Sequence, residues 1–223
     1  MQKTTQIIPG GVRFAPSPTG RFHVGNLRTA WISHLWAKNL KQPWILRFED
    51  IDTPRVIKDS FEWQLSDLKE LGLVPDQIII QSELRNRHWQ LFLKAIESGA
   101  VYPCYCSRKD VQTALASFAS APHADVPVYS GKCRAADTFK PERDLNSNIA
   151  WRFEMPNTTG CDDFIAARTS IDLKRLLNEK LTANEASFTP AYHWAYAIDD
   201  FDGDYKLLVR SSDLRNSFTV SIS

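Results

Sequence analysis

The stretch VRFAPSPTGRFHVGNLRTAW, Val12 to Trp31, sets His23, Gly25 and Asn26 where a strand-like run gives way to a helix-like one. The turn before them is stiffened by Pro16 and Pro18. The first amides of a helix lack intrahelical partners and sit at the positive end of its dipole, which suits an anion. His23 and Asn26 can donate hydrogen bonds to phosphate oxygens, and Gly25 leaves space for a flat ligand against the backbone. The plainer alternative is a proline-stiffened turn with a surface histidine. RFEDIDTPR, Arg47 to Arg55, ends a strand in Glu49, Asp50 and Asp52, carboxylates that can grip an ammonium group or a metal. Alternatively, Asp52-Thr53-Pro54 simply caps the next helix. Cys104 and Cys106, with Cys133 further on, form a soft thiolate set suited to tetrahedral zinc. The fourth ligand is open among Tyr129, His123 and water, and reduced structural cysteines are the competing account. Cys161 stands alone and reads as a packing residue. Arg13 and Arg210 fall on expected strands near one sheet edge, where two guanidinium groups suggest bidentate capture of a carboxylate or phosphate. Either one alone would pass for a surface arginine.

The elements that must position these groups follow from periodicity. Gly11–Ala15 reads as a strand and Asn26–Leu40 as a helix, with Leu27, Ala30, Trp31, Leu35 and Leu40 at helical spacing. Trp44–Phe48 reads as a buried strand. Val56, Ser60, Phe61, Leu65, Leu68 and Leu71 mark a second helix, closed by Gly72. Gln77–Glu83 is a third strand and Leu84–Ser98 a third helix, with Trp89, Leu93 and Ile96 inward. Strands alternating with helices predict an α/β fold with a doubly wound, Rossmann-like parallel sheet, whose ligands sit beyond the carboxyl ends of its strands. From Val101 the pattern breaks, and strand character is expected again in AYHWAYAIDD, Ala191–Asp200, and YKLLVRSSD, Tyr205–Asp213. The expected division is a catalytic domain over 9–99, an inserted subdomain over 100–188, and the rest of the catalytic domain over 189–223.

Composition narrows the class. A formal charge of +1 over 223 residues argues against a broadly basic nucleic-acid-coating protein, while leaving room for a local basic groove. No apolar run reaches the length of a membrane span, and no basic-then-apolar leader opens the chain. The clustered cysteines fit a reducing compartment, so a cytoplasmic location is expected.

Taken together, RFAPSPTGRFHVGN and LRFEDID resemble the catalytic domain of class I glutamyl-tRNA synthetases. His23-Val24-Gly25-Asn26 stands as the His-Ile-Gly-His-type signature, with asparagine in the last place. YHWAYAIDD and LLVRSSDL resemble later strands of that family, with Tyr192, Asp199, Asp200 and Arg210 in matching places. YPCYCSRKDV and VYSGKCR resemble the zinc element of glutamyl-Q tRNA(Asp) synthetases, whose Cys, Cys, Tyr and Cys set implies Cys104, Cys106, Tyr129 and Cys133 around one structural Zn2+. The halves of that element stand further apart than the pattern leads one to expect, and a second apparent insertion runs from Ile171 to Ser187. The inserted subdomain would then be a zinc-binding, acceptor-type one. The resemblance further implies that Arg13, Tyr192 and Arg210 hold the side-chain carboxylate of L-glutamate and that Glu49 takes its ammonium group. Phe14, Ala15, Pro16 and Ser17 would line the same pocket. His23, Gly25 and Asn26 would receive ATP, with Mg2+ accompanying it. Glutamate would be activated as an adenylate and passed to the queuosine base of tRNA(Asp), with no membrane involved and the protein a monomer.

The sequence stops at DLRNSFTVSIS, before the Lys-x-Ser-Lys loop with which such synthetases steady the departing pyrophosphate. Weak or absent glutamate-dependent ATP–pyrophosphate exchange is therefore expected. Two other accounts are a piece of an ordinary glutamyl-tRNA synthetase and a non-catalytic remnant that binds glutamate or RNA.

Overall fold

A computed structural model describes residues 7, 9–107, 109–110, 131–134, 149–155, 163–169 and 179–209. The chain divides into two units, one formed by residues 1–85 with 195–223 and the other by residues 86–194.

Among the described residues, the first unit is built on four parallel strands: β1 (Val12–Phe14), β2 (Trp44–Phe48), β3 (Gln77–Ile80) and the short β8 (Leu207–Leu208). They lie in the order β3-β2-β1-β8. Between β1 and β2 runs α1 (Val24–Leu40), and between β2 and β3 runs α2 (Ser60–Glu70). The register pairs Arg13 with Ile45 and Phe14 with Leu46. It also pairs Arg47 with Ile79 and Phe48 with Ile80. Because side chains alternate along a strand, this register sorts the sheet into two unlike faces. Val12, Phe14, Trp44, Leu46, Phe48 and Ile78 share one face and form a single apolar cluster with Ala30 and Ala37 of α1 and Leu68 of α2. The other face carries Arg13, Ile45, Arg47 and Ile79, and a smaller apolar cluster gathers Ile45, Ile79 and Leu84 there.

The helix face that α1 turns to the sheet is its small one: Ala30, Ser33 and Ala37 are buried, whereas Trp31, Leu35 and Leu40 are among the exposed large hydrophobic residues. Small residues let the helix approach closely. Ser33 Oγ accepts from the Trp44 indole at 2.9 Å and donates to the Ala30 carbonyl at 2.8 Å, so the indole nitrogen is not buried without a partner.

Two expectations need adjusting at element ends. The second helix begins at Ser60, because Thr53–Arg55 forms a separate 3-10 turn and leaves Val56 outside it. The third strand stops at Ile80 and passes into a 3-10 turn, Gln81–Leu84. A larger correction concerns AYHWAYAIDD. It is a helix, α4 (Tyr192–Gly203), and not a strand. Residues Trp194 to Asp199 are buried without a break, so no alternation marks them, and Ala195 and Ala197 favour a helix once their surroundings can cover every side.

The second unit holds β4 (Val101–Cys104), β5 (Ile149–Phe153), β6 (Phe164–Thr169) and β7 (Thr189–Pro190), an antiparallel sheet in that order. Most of α3 (Arg85–Glu97) belongs to it, with Trp89 and Ile96 buried, Leu93 half-buried and Phe92 wholly buried. Phe92 packs at 5.7 Å against Trp151 and at 5.1 Å against Phe188.

Candidate active site

The turn between β1 and α1 is held from below by one face of α2. Ser60 Oγ donates to the Pro18 carbonyl at 2.7 Å. Gln64 Nε2 donates to the carbonyls of Gly20, at 2.7 Å, and Ser17, at 3.2 Å. One turn on, Asp67 accepts from Arg21 at 2.9 Å and from the Phe22 amide at 3.3 Å. Positions i, i+4 and i+7 share a helix face, so three polar residues of α2 fix the turn that the prolines already stiffen. The Pro16 carbonyl accepts from the Glu49 amide at 3.0 Å, which ties the turn to the end of β2.

His23 is the N-cap of α1. Its Nδ1 accepts from the amides of Gly25, at 3.0 Å, and Asn26, at 3.4 Å, while Asn26 Oδ1 accepts from the His23 amide at 3.2 Å. This reciprocal box occupies two of the opening amides, so the helix start is not a bare anion site. With Nδ1 accepting, the neutral ring carries its proton on Nε2, which can donate to a ligand. Gly25 also has a local reason: a Cβ there would stand 2.8 Å from His23 Cε1 and 2.9 Å from Nδ1. Glycine makes room for the ring that caps the helix.

On the other face of the sheet lies a charged cluster. Arg47 is fully buried, donating from Nη1 to Asp200 Oδ1 at 2.8 Å and from Nη2 to Glu49 Oε1 at 2.8 Å, with Asp199 at 4.0 Å. Arg13, 3% exposed, donates from Nη2 to Asp200 Oδ2 at 3.0 Å and brings Nε to 3.0 Å from Oδ1. Asp199 in turn accepts from Gln81 Nε2 at 2.7 Å. Tyr205 stacks over the Arg13 guanidinium, 5.8 Å from ring centroid to Cζ. Burial alone would lower the Arg47 pKa, but Asp200, Glu49 and Asp199 outweigh it and hold that group well above its ordinary value. Asp199 and Asp200 stand in the C-terminal half of α4, where the helix dipole disfavours acid, and the arginines offset that cost.

The expected site residues divide accordingly. Arg13 and Glu49 meet in the charged cluster, through Arg47 and Asp200. Phe14 does not line that side: its ring lies in the opposite, apolar face, 5.7 Å from Phe22 and 6.3 Å from Trp44. Pro16 is buried, Ala15 half-buried and Ser17 exposed. The three acids of RFEDIDTPR separate. Glu49 joins the cluster, and Asp50 accepts from the Ser82 amide at 2.8 Å and hydroxyl at 2.7 Å. Among the described residues Asp52 makes only a surface pair with Arg55 at 3.7 Å, and it forms no side-chain cap. Tyr192 belongs to the second unit. Arg210, Tyr129, His123 and Cys161 lie outside the described residues. Sequence reading passed over Arg47, although a lone arginine inside an apolar strand signals buried carboxylates nearby. It also passed over the polar role of α2, where Gln64 and Ser60 interrupt an otherwise apolar face.

In the second unit the thiols of Cys104, Cys106 and Cys133 lie within 4.8 Å of one another, and Cys106 and Cys133 sulfurs are 3.5 Å apart. Thiolates about 2.3 Å from a tetrahedral zinc ion stand roughly 3.8 Å apart, so the trio fits one ion. Arg152 Nε donates to Cys104 Sγ at 3.2 Å, the kind of outer contact that steadies a metal-bound sulfur.

A profile of the tRNA synthetases class I (E and Q), catalytic domain, matches residues 11–217, and the chain belongs to that family. Among individual relatives, a glutamyl-Q tRNA(Asp) synthetase of Deinococcus radiodurans is 37% identical over 205 residues, 91% of this chain and 66% of the relative. A second of that name, from Nocardia farcinica, is 34% identical over 93% of this chain and 64% of its own length. A glutamate–tRNA ligase of Magnetococcus marinus is 33% identical over 90% of this chain and 42% of its length. The chain thus spans less than two thirds of these relatives. The fold also matches a crystal structure of a glutamate tRNA ligase from Elizabethkingia meningosepticum, with TM-score 0.72 over 96% of this chain and 45% of that one, at 24% identity. No helix among the described residues is long and apolar enough to cross a membrane.

Proposed function

We propose that the chain carries the glutamate and nucleotide sites of an enzyme that activates L-glutamate with ATP and passes it to the queuosine base of tRNA(Asp), with weak exchange by this chain itself. The observation that carries this reading is the charged cluster at the end of β2, where Glu49 gives one oxygen to Arg47 and has no partner for Oε2 among the described residues. An open carboxylate oxygen on a group bound to one buried guanidinium, with a second joined to it through Asp200, suits a small molecule bearing both an ammonium and a carboxylate group. Arg13 attracts the side-chain carboxylate and Glu49 the ammonium. The phosphates of ATP lie against α1, with His23 Nε2 donating to an oxygen. One oxygen of the glutamate α-carboxylate then attacks the α-phosphorus, and the bond to pyrophosphate breaks. The chain's contribution is alignment and charge, with Mg2+ travelling on the nucleotide.

Zinc at Cys104, Cys106 and Cys133 is a structural group in this reading, with the fourth position taken by Tyr129, by analogy with the motif. When bound it ties together segments distant in sequence. Elemental analysis should find near one zinc per chain; its absence would remove this part of the account.

Calorimetry with a non-hydrolysable glutamyl-adenylate analogue tests the activation step. Tighter binding than either L-glutamate or ATP alone supports it, and no binding of any of the three sinks it. Relatives named glutamate–tRNA ligase favour a second reading, charging of tRNA(Glu). Labelled glutamate should attach to queuosine-containing tRNA(Asp) and not to tRNA(Glu); the reverse selects the second reading.

A further inference from the structure

Arg47 has no assigned part in that reading, yet its guanidinium touches both Glu49 and Asp200. Glu49 follows the last paired residue of β2, where a three-torsion side chain would ordinarily wander. Two-residue spacing along a strand puts Arg47 and Glu49 on one face. The 2.8 Å bond from Nη2 fixes Oε1 and thereby sets the direction of Oε2. Arg47 is itself immobilised, because it is 0% exposed and its Nη1 is bound to Asp200, which Arg13 grips in turn. Burying this ion network has no packing rationale, since well-packed apolar residues in place of all its members would commonly be as stable there.

We infer that Arg47 is a positioning residue: it holds Glu49 with one oxygen aimed at the substrate's ammonium group. The inference rests on the glutamate reading of the pocket and adds how ammonium recognition is built. An acceptor fixed in advance spends less binding free energy on ordering, so loss of the fixing group lowers affinity only for ligands that use the acceptor.

The test compares L-glutamate with glutarate, the same diacid without the ammonium, by calorimetry on the full chain. Glu49→Gln and Arg47→Lys should each weaken L-glutamate by about tenfold or more while leaving glutarate unchanged. The double variant should lose little beyond either single one, as expected for two groups acting as a unit. No binding of L-glutamate by the wild type, or full affinity in Glu49→Gln, overturns the pocket itself. Loss in Glu49→Gln but not in Arg47→Lys, or equal loss of both ligands in Arg47→Lys, overturns only the positioning role. Should Arg47→Lys fail to fold, the charge-balanced pair Arg47→Gln with Asp199→Asn is read against the same criteria.

Discussion

Each unit buries carboxylate against arginine, and the two arrangements end differently. In the second unit Asp163 accepts from the Met155 amide at 2.9 Å, from Arg134 Nε at 2.9 Å and through a second Arg134 bond, and from the Tyr102 hydroxyl. Arg152 adds a bond to its carbonyl at 3.1 Å. Both side-chain oxygens are saturated, leaving nothing to offer a ligand, so the cluster reads as scaffold. In the first unit Glu49 gives one oxygen to Arg47 and keeps the other without a partner among the described residues. On the proposed reading, that unfilled oxygen is what the first network can offer a ligand and the saturated one cannot.

The largest effect is expected at Arg47. Arg47→Met leaves Glu49 and Asp200 short of a partner in a largely buried cluster and should cost about 3–5 kcal/mol in urea unfolding. A loss near zero would mean that the cluster is solvated. Next comes Asp163→Asn, which keeps the shape but weakens three donors' contacts and should cost about 2 kcal/mol.

The same aspartate sharpens the contrast through pH. Burial alone would raise its pKa, but hydrogen bonds from Arg134, Tyr102 and the Met155 amide outweigh this and hold it below the ordinary 3.8. A depressed carboxylate stabilises the fold above its unfolded pKa and ceases to do so as pH falls through the lower folded value. The acid transition of the second unit should therefore lie below the ordinary carboxylate range, and in Asp163→Asn stability should vary less across that window.

Smaller effects are expected at the turn. Gln64→Leu removes the donor to Ser17 and Gly20 and should cost roughly 1 kcal/mol, with faster amide exchange around Thr19. Gly25→Ala pushes the His23 ring off its cap and should cost about 0.5–1 kcal/mol, seen as a small fall in Tm.

Much of the first unit was legible in the chain. The β1-α1-β2-α2-β3 order follows from apolar runs and spacing, and the turn motif marked where α1 begins. What stayed hidden had physical causes. Trp31 and Leu35 drew attention to the face of α1 that is exposed, because close helix–sheet contact used Ala30, Ser33 and Ala37. WAYAID, Trp194 to Asp199, carries no period because it is buried without a break, and its aromatic residues suggested a strand. Of the site, Glu49 and Arg13 were readable as types, but their connection through Arg47 and Asp200 depends on a contact spanning 153 residues. Spacing cannot reveal such a pairing.

The most direct test is a crystal structure with L-glutamate bound. The account expects the ligand's ammonium nitrogen about 3 Å from Glu49 Oε2, with the Arg47–Glu49 bond intact. A ligand whose ammonium group lies elsewhere, with Glu49 left in its present contacts, would contradict it.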